Sequence, residues 1–185
     1  LSRNHDVTAV VRDPARYSDL AAVAGDASNT DDVTRLTEGQ DVAILATRPA
    51  PGSEHEAATT TKAVLAGIAP GVRLLVIGGA STLTLPGGGY VMDAPDFPGE
   101  LQPIALASAQ QLDVCRAETS ADWVYLSPPI VLEPGVRTGK YRVGKDEALV
   151  NAEGWSFISM EDLAVAVLDE LEQPRHHRTR FTVGY

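Results

Sequence analysis

The sequence predicts a doubly wound α/β fold, a parallel sheet covered by helices on both faces, and three observations carry the prediction. The first is an uninterrupted apolar run, Leu74-Leu75-Val76-Ile77, entered from Pro70-Gly71 and ended by Gly78-Gly79-Ala80-Ser81. A strand buried on both faces reads this way, and a glycine pair at its carboxyl end lets a flat ligand approach bare backbone. The second is that strand-like and helix-like segments alternate along the chain, with no internal repeat and no low-complexity tract; such alternation winds a parallel sheet between two helical layers. The third is bulk composition: 185 residues, 44% hydrophobic and 22% charged, make one domain with a sizeable core.

Charge and cysteine content narrow the function classes. A formal charge of −10 argues against nucleic acid, whose binding is driven by neutralising phosphates. The single cysteine, Cys115, rules out an internal disulfide framework and a cysteine-rich zinc site, and its place in a helical pattern points to core packing. No apolar run approaches the roughly 20 residues that span a bilayer, and the polar opening Leu1 to Asp6 is not a signal peptide. The expectation is a cytoplasmic protein without a membrane partner, monomeric or homodimeric.

In chain order, His5 to Arg12 is β-branched and reads as a strand, followed by a short helix from Asp13-Pro14 and a brief strand at Ala22-Val23-Ala24. A helix begins at Asn29 to Val33 and stops at Glu38-Gly39-Gln40. The next strand is Asp41 to Thr47, broken by Arg48-Pro49, and a long helix follows from Ser53 to Ala69. After the Leu74 to Ile77 strand, residues Leu83 to Pro103 are rich in glycine and proline and longer than an ordinary loop, as expected of a flap over a cleft. Ile104 to Ala117 is helical, with Leu106, Gln110, Leu112 and Cys115 on one face; Asp122 to Ser127 is a strand halted by Pro128-Pro129. Short strands are expected at Lys140 to Val143 and Phe157-Ile158. The last helix starts after Ser159, with Asp162 in an approximate capping box, and Arg180 to Val183 closes the chain as a strand.

A doubly wound nucleotide fold ordinarily opens with a strand, a glycine-rich turn and a helix. The sequence opens instead where a second strand should start, so the reading is a sheet lacking its first strand and first helix, about 20 residues in all. In the usual strand order that strand is central, and its neighbours would flank a gap; a rearranged sheet is the alternative. The domain reading is residues 1–185 as one incomplete domain, with a substrate-side portion from 83–103 and 130–160.

Candidate site residues sit at the strand ends. Arg12 falls where an acidic residue holds the ribose of NAD; an arginine there fits the 2′-phosphate of NADP, and Arg16 adds charge one turn on. Either could instead be a surface arginine paired with Asp13. Asp26, with Ala27, would lie beside an adenine or else serve as a turn or cap residue. Ala46, Thr47 and Arg48 end one strand and Gly79, Ala80 and Ser81 its neighbour, lining one crevice in which Ser81 can donate to a substrate oxygen. Pro128, Pro129 and Ile130 could hold a carboxamide through free main-chain groups, or simply terminate a strand. Glu54-His55-Glu56 reads as helix-start chemistry rather than a metal site, and His176-His177 as a solvated surface tract.

These pieces together resemble the atypical short-chain dehydrogenase/reductase group of NAD(P)H-binding proteins: NmrA-like proteins, NADH-flavin reductase-like proteins and the flavin reductase/biliverdin reductase B type. The resemblance rests on His5 to Arg16, Gly25-Asp26-Ala27, Gly39 to Val42 leading to Thr47-Arg48, Gly78 to Ser81, Ser127-Pro128-Pro129, Thr138 to Tyr141 and Ile158 to Leu163. It implies a Rossmann-like fold that holds NADP, with NAD as the other option, through Arg12, Arg16, Asp26, Thr47, Arg48, Ser81 and the Pro128-Pro129 turn. Hydride would pass to a small flat acceptor, a flavin or quinone. The Tyr-x-x-x-Lys pair of typical short-chain dehydrogenases does not occur. Ser81 and Tyr141 are then the candidate proton donors, water being the other source, and a non-catalytic NmrA-like redox sensor is the alternative function.

Overall fold

The computed structural model describes residues 3–17 and 19–185; Leu1, Ser2 and Ser18 lie outside them. In chain order the strands and helices are β1 (Ala9–Val11), β2 (Ala22–Ala24), α1 (Thr30–Thr37), β3 (Val42–Leu45), α2 (Glu56–Gly67), β4 (Arg73–Ile77), α3 (Gln102–Ala117), β5 (Trp123–Ser127), β6 (Val131–Glu133), β7 (Arg142–Gly144), β8 (Phe157–Ser159), α4 (Met160–Glu172) and β9 (Thr179–Gly184). The main sheet has the order β3-β4-β5-β9-β7. Its first four strands are parallel, and β7 runs antiparallel to β9.

Alternation along β4 and β5 builds two cores. Leu74 and Val76 with Trp123 and Tyr125 face α1, α2 and α3, where they meet Val33, Val64, Leu65, Leu112 and Cys115. Leu75, Val124 and Leu126 face the opposite way, onto α4, with Phe181 and Val183 of β9 beside them. Leu74, Leu75 and Val76 are wholly shielded from solvent, each such side chain contributing about 1.5–3 kcal/mol of transfer free energy. Helices on both faces of a parallel sheet are the predicted doubly wound arrangement.

The sheet is split where the sequence predicts a gap. Strands β1 and β2 pair only with each other, in parallel, and among the described residues no strand joins β1 to β3. This one-sided pairing explains why β1 is three residues long rather than the eight predicted: His5 to Thr8 have no neighbouring strand to hold them extended. The short helix after it is a single 3-10 turn over Pro14–Tyr17.

The helix starts follow their sequence signals with two corrections. Asn29 caps α1, its side-chain oxygen accepting from the Asp31 and Asp32 amides at 2.9 and 3.2 Å. Ser159 caps α4 by accepting from the Asp162 amide at 3.1 Å, but Asp162 does not complete a capping box, because its carboxylate is drawn to the segment before β7. Helix α3 starts at Gln102, so Pro103 lies inside its first turn; there the missing N–H has no intrahelical partner to lose. Its buried face is Ala105, Ala107, Gln111, Leu112 and Cys115, and Leu106 is exposed.

Strand β6 is an element that the sequence pattern does not predict. Three residues between Pro129 and Pro134 carry too little pattern to be read alone, and they are ordered by parallel pairing with β8. The expected flap is anchored at its base, where Leu83 and Val91 pack on Ala148. Its tip is a tight turn in which Gly87, Gly88 and Gly89 all take positive φ. Among the described residues no helix is long and apolar enough to cross a membrane.

Candidate functional site

Parallel pairing sets predicted residues at strand ends within two separate sheets. Val11 pairs with Ala24, so Arg12 and Gly25-Asp26 leave the small sheet side by side. Leu45 pairs with Val76 and Ile77 with Leu126, so Ala46-Thr47-Arg48, Gly78-Gly79 and Pro128-Pro129 follow three adjacent strand ends of the main sheet. Strand β2 leads through α1 into β3. Ligands of open α/β sheets lie at these carboxyl ends.

At the β1–β2 end, Asp26 is a turn residue, accepting from the Ser28 hydroxyl at 2.7 Å and the Ser28 amide at 2.9 Å. These bonds hold its carboxyl below the usual range, and the positive charge of Arg12 nearby adds to the effect. The Ala27 methyl packs on the core beneath. Arg16 is exposed and paired with Asp13 at 3.2 Å, the surface pairing left open by the sequence. The Arg12 guanidinium is solvent-facing beside Asp26.

The glycine pair after β4 has a packing reason the sequence does not reveal. A Cβ at Gly78 would fall 1.8 Å from Tyr125 Cζ, and one at Gly79 2.6 Å from Ser108 Oγ. The side chains that need this room form a buried polar line between sheet and helices. Tyr125 Oη donates toward Ser108 O at 3.1 Å and Gln111 Oε1 at 3.2 Å and accepts from the Gly79 amide at 3.3 Å; Gln111 Nε2 donates to Thr61 Oγ1 at 3.0 Å. Burial pushes the Tyr125 hydroxyl well above its ordinary value, so it stays protonated. Tyr125, Gln111, Ser108 and Thr61 escaped the sequence reading; the available signal was a glutamine and a threonine on otherwise apolar helix faces.

The two proposed proton donors are placed apart. Ser81 is buried, its hydroxyl donating to Ala105 O at 2.9 Å and lying 3.1 Å from Ser108 Oγ, on the α3 side of the sheet. Tyr141 packs into the α4 core on the other side and donates its hydroxyl to Asp169. Burial, reinforced by that carboxylate, raises the Tyr141 pKa strongly. Both hydroxyl protons are thus directed at groups of the protein. The Pro128-Pro129-Ile130 turn also differs from expectation: the Ile130 amide donates to Ser156 Oγ at 3.3 Å and the Val131 amide to Ser156 O at 2.9 Å. Only carbonyls of that turn remain to receive a carboxamide.

Two further polar clusters shape the edges of the molecule. Asp162 is fully buried and accepts from the Thr138 amide at 2.9 Å, the Thr138 hydroxyl at 2.5 Å, the Gly139 amide at 2.7 Å and Tyr185 Oη at 2.7 Å. It fastens the 138–139 segment and the chain's last residue to α4. At the amino end of β4, buried Arg73 pairs with buried Glu170 at 2.8 Å, and Glu170 also lies 2.8 Å from His176 Nδ1. His176 stacks on Phe181 with centroids 4.6 Å apart, so it belongs to the interior rather than to the solvated tract expected. Its neighbour His177 is exposed, 2.9 Å from Asp122.

The strand-end residues fit the two ends of a dinucleotide better than its middle. Arg12 places an exposed cation at the end of β1, and Ala46, Thr47 and Gly79 follow the ends of β3 and β4. Helices α1 and α2 open on this edge with Asp31, Asp32 and Glu56 in their first turns. Those charges repel a pyrophosphate where a bare helix terminus would attract it, whereas α3, after β4, has no acidic residue in its first turn.

Comparison with known proteins gives the family and the fold. Residues 1–174 match the NAD(P)H-binding family. The uncharacterized protein YwnB of Bacillus subtilis is 39% identical over 192 aligned residues, covering 98% of this chain and 87% of that protein. A Bacteroides thetaiotaomicron structure provisionally named an epimerase superposes with a TM-score of 0.88 at 36% identity, covering 100% of this chain and 87% of the other. One from Streptococcus pneumoniae, provisionally named an NADH-flavin reductase, gives 0.86 at 29% identity, covering 99% and 89%. With a nicotinamide nucleotide as the ligand of its matched family and a parallel sheet wound between two helical layers, the chain belongs to the NAD(P)H-binding family of Rossmann-like proteins.

Proposed function

We propose that the protein is an NAD(P)H-dependent oxidoreductase that prefers NADP and passes hydride to a small flat acceptor, a flavin or quinone. The observation that carries the reading is Arg12, a solvent-facing cation at the end of β1 beside Asp26 at the end of β2, where the adenosine ribose of a dinucleotide would lie. Bound along the strand ends, the reduced cofactor supplies the hydride. The chain's task is to position both rings and exclude water, which suffices when ring stacking brings donor and acceptor into contact. Any proton the product needs comes from water, since the Ser81 and Tyr141 hydroxyls are engaged within the protein.

That same engagement favours a second reading, a redox sensor that binds the cofactor without turnover. Anaerobic mixing with NADPH and FMN, or with a quinone, separates the two. Loss of 340 nm absorbance faster than in the protein-free control supports the reductase. Saturable binding of oxidised and reduced cofactor with equal affinity and no turnover supports the sensor.

A further inference from the structure

We propose that Trp155 is the platform on which the acceptor ring stacks, and that the ring it selects is a neutral aromatic quinone rather than a phosphate-bearing flavin. The turn that carries Trp155 is built by Asn151, which ties down both of its main-chain groups. The Asn151 side-chain oxygen accepts from the Trp155 amide at 2.8 Å, and the Asn151 amide donates to the Trp155 carbonyl at 2.9 Å. That same side-chain oxygen accepts from the Glu153 amide at 3.1 Å. Gly154 closes the turn at φ +84°, a conformation that favours glycine. The indole is nevertheless 65% exposed. A large aromatic ring on a main chain held at both its amide and its carbonyl offers contact area that needs little further ordering on binding.

Pairing sets this platform beside the end of β5, where the nicotinamide lies on the reductase reading, on which the inference rests. Ser156 accepts the Ile130 amide through its hydroxyl and the Val131 amide through its carbonyl, so Trp155 adjoins the Pro128-Pro129 turn that leaves β5. Leu132 and Ile158, paired across β6 and β8, enter the core under α4. Alternation by two therefore gives Trp155 the other face, that of Phe157. The other exposed aromatic side chains among the described residues are Tyr17, before β2, and Tyr90, in the flap. An electron-rich indole stacks offset on a flat, electron-poor ring, which describes a quinone. Charge sets the flavin phosphate aside. Residues 128–133 and 149–156 hold no lysine or arginine, and their charges are the exposed carboxylates of Glu133 and Glu153. A phosphate would meet like charge here without a cation to offset it. The quinone takes up the hydride and, with one proton from water, leaves as the hydroquinone, the cofactor being oxidised.

Trp155 can be followed directly, because the chain's other tryptophan, Trp123, is buried. Menadione is titrated into the protein with and without oxidised NADP, the Trp155 indole N–H being read by NMR and bound quinone by equilibrium dialysis. We expect a saturable shift of the Trp155 signal, with smaller changes at the Ile130 and Ser156 amides. FMN should bind at least about tenfold more weakly, and a puckered, non-aromatic cyclohexanedione about fivefold more weakly. Trp155→Phe should keep most of the affinity for menadione, and Trp155→Ala should lose about fivefold. Both variants should melt as the parent does, since the side chain is largely exposed. With NADPH as donor, Trp155→Ala should raise KM for menadione by a similar factor and leave the Kd for NADPH unchanged. Saturable, Trp155-dependent binding without oxidation of NADPH would uphold the quinone platform and remove the reductase reading. A shift that grows without saturating in both conditions, affinity for FMN equal to that for menadione, full affinity in Trp155→Ala, or a dimer of the free protein that shields Trp155 would each overturn the proposal.

Discussion

Gly78→Ala isolates the close approach of the β4 terminus to Tyr125. Gly78 is not among the glycines at positive φ, so the backbone accepts alanine and the cost is steric alone. The new methyl would stand 1.8 Å from Tyr125 Cζ, 2.0 Å from Oη and 2.2 Å from Cε1. The ring cannot swing aside freely, because its hydroxyl is held by Ser108, Gln111 and the Gly79 amide. Overpacking costs about 1–3 kcal/mol, and each buried hydrogen bond given up about 1 kcal/mol more. The sum, roughly 3–5 kcal/mol, lowers the melting temperature by about 6–20 °C for a domain of this size. Calorimetry on Gly78→Ala, Tyr125→Leu and the double variant provides the cycle. In the leucine background Gly78→Ala should fall within about 1 kcal/mol of neutral, leaving a coupling of at least about 2 kcal/mol. An undiminished penalty in that background would refute the packing argument and return the glycine pair to a ligand-facing role.

Other expectations follow from the same contacts. Burial alone would raise the Asp162 carboxyl, but its donors from Thr138, Tyr185 and Gly139 outweigh burial and hold it below the ordinary 3.8. Its contribution is therefore complete above about pH 4 and lost as pH falls through the depressed folded value. Asp162→Asn should cost about 1.5–3 kcal/mol at pH 7 and flatten the acid limb of a urea-melt series; an unchanged limb would remove Asp162 as its source. Burial pushes the Cys115 thiol up to about 12, so a disulfide reagent at pH 8 should label it only as fast as the protein unfolds, and rapid labelling of native protein would contradict its burial. Arg12→Ala should weaken NADPH binding by roughly 10- to 150-fold, the loss of a charge-assisted contact, and NADH far less; fluorescence titration giving equal losses would count against the 2′-phosphate role.

Long, two-sided patterns were legible in the sequence and short, one-sided ones were not. Leu74 to Ile77 and Trp123 to Ser127 announced themselves because both faces are buried. Strand β6 was invisible because its order comes from β8, some two dozen residues later in the chain. At the site, the strand-end positions of Arg12, Thr47 and Gly79 were readable from where apolar runs stop. The engagement of Ser81 and Tyr141 was not, since it depends on which helix carbonyl or carboxylate lies opposite. The packing role of Gly78-Gly79 was not readable for the same reason: a glycine reports that space is short and not which side chain fills it.

A nicotinamide dinucleotide is expected to lie along the carboxyl ends of β1 to β5. Titrating isotope-labelled protein with NADPH and mapping amide shift changes tests it most directly. Saturable changes are expected at Arg12, Asp26, Thr47 and Gly79, with Arg73, Asp122 and His177 at the opposite edge unmoved. Changes confined to that opposite edge, or none at all as NADPH is raised to saturation of a known binder, would contradict it.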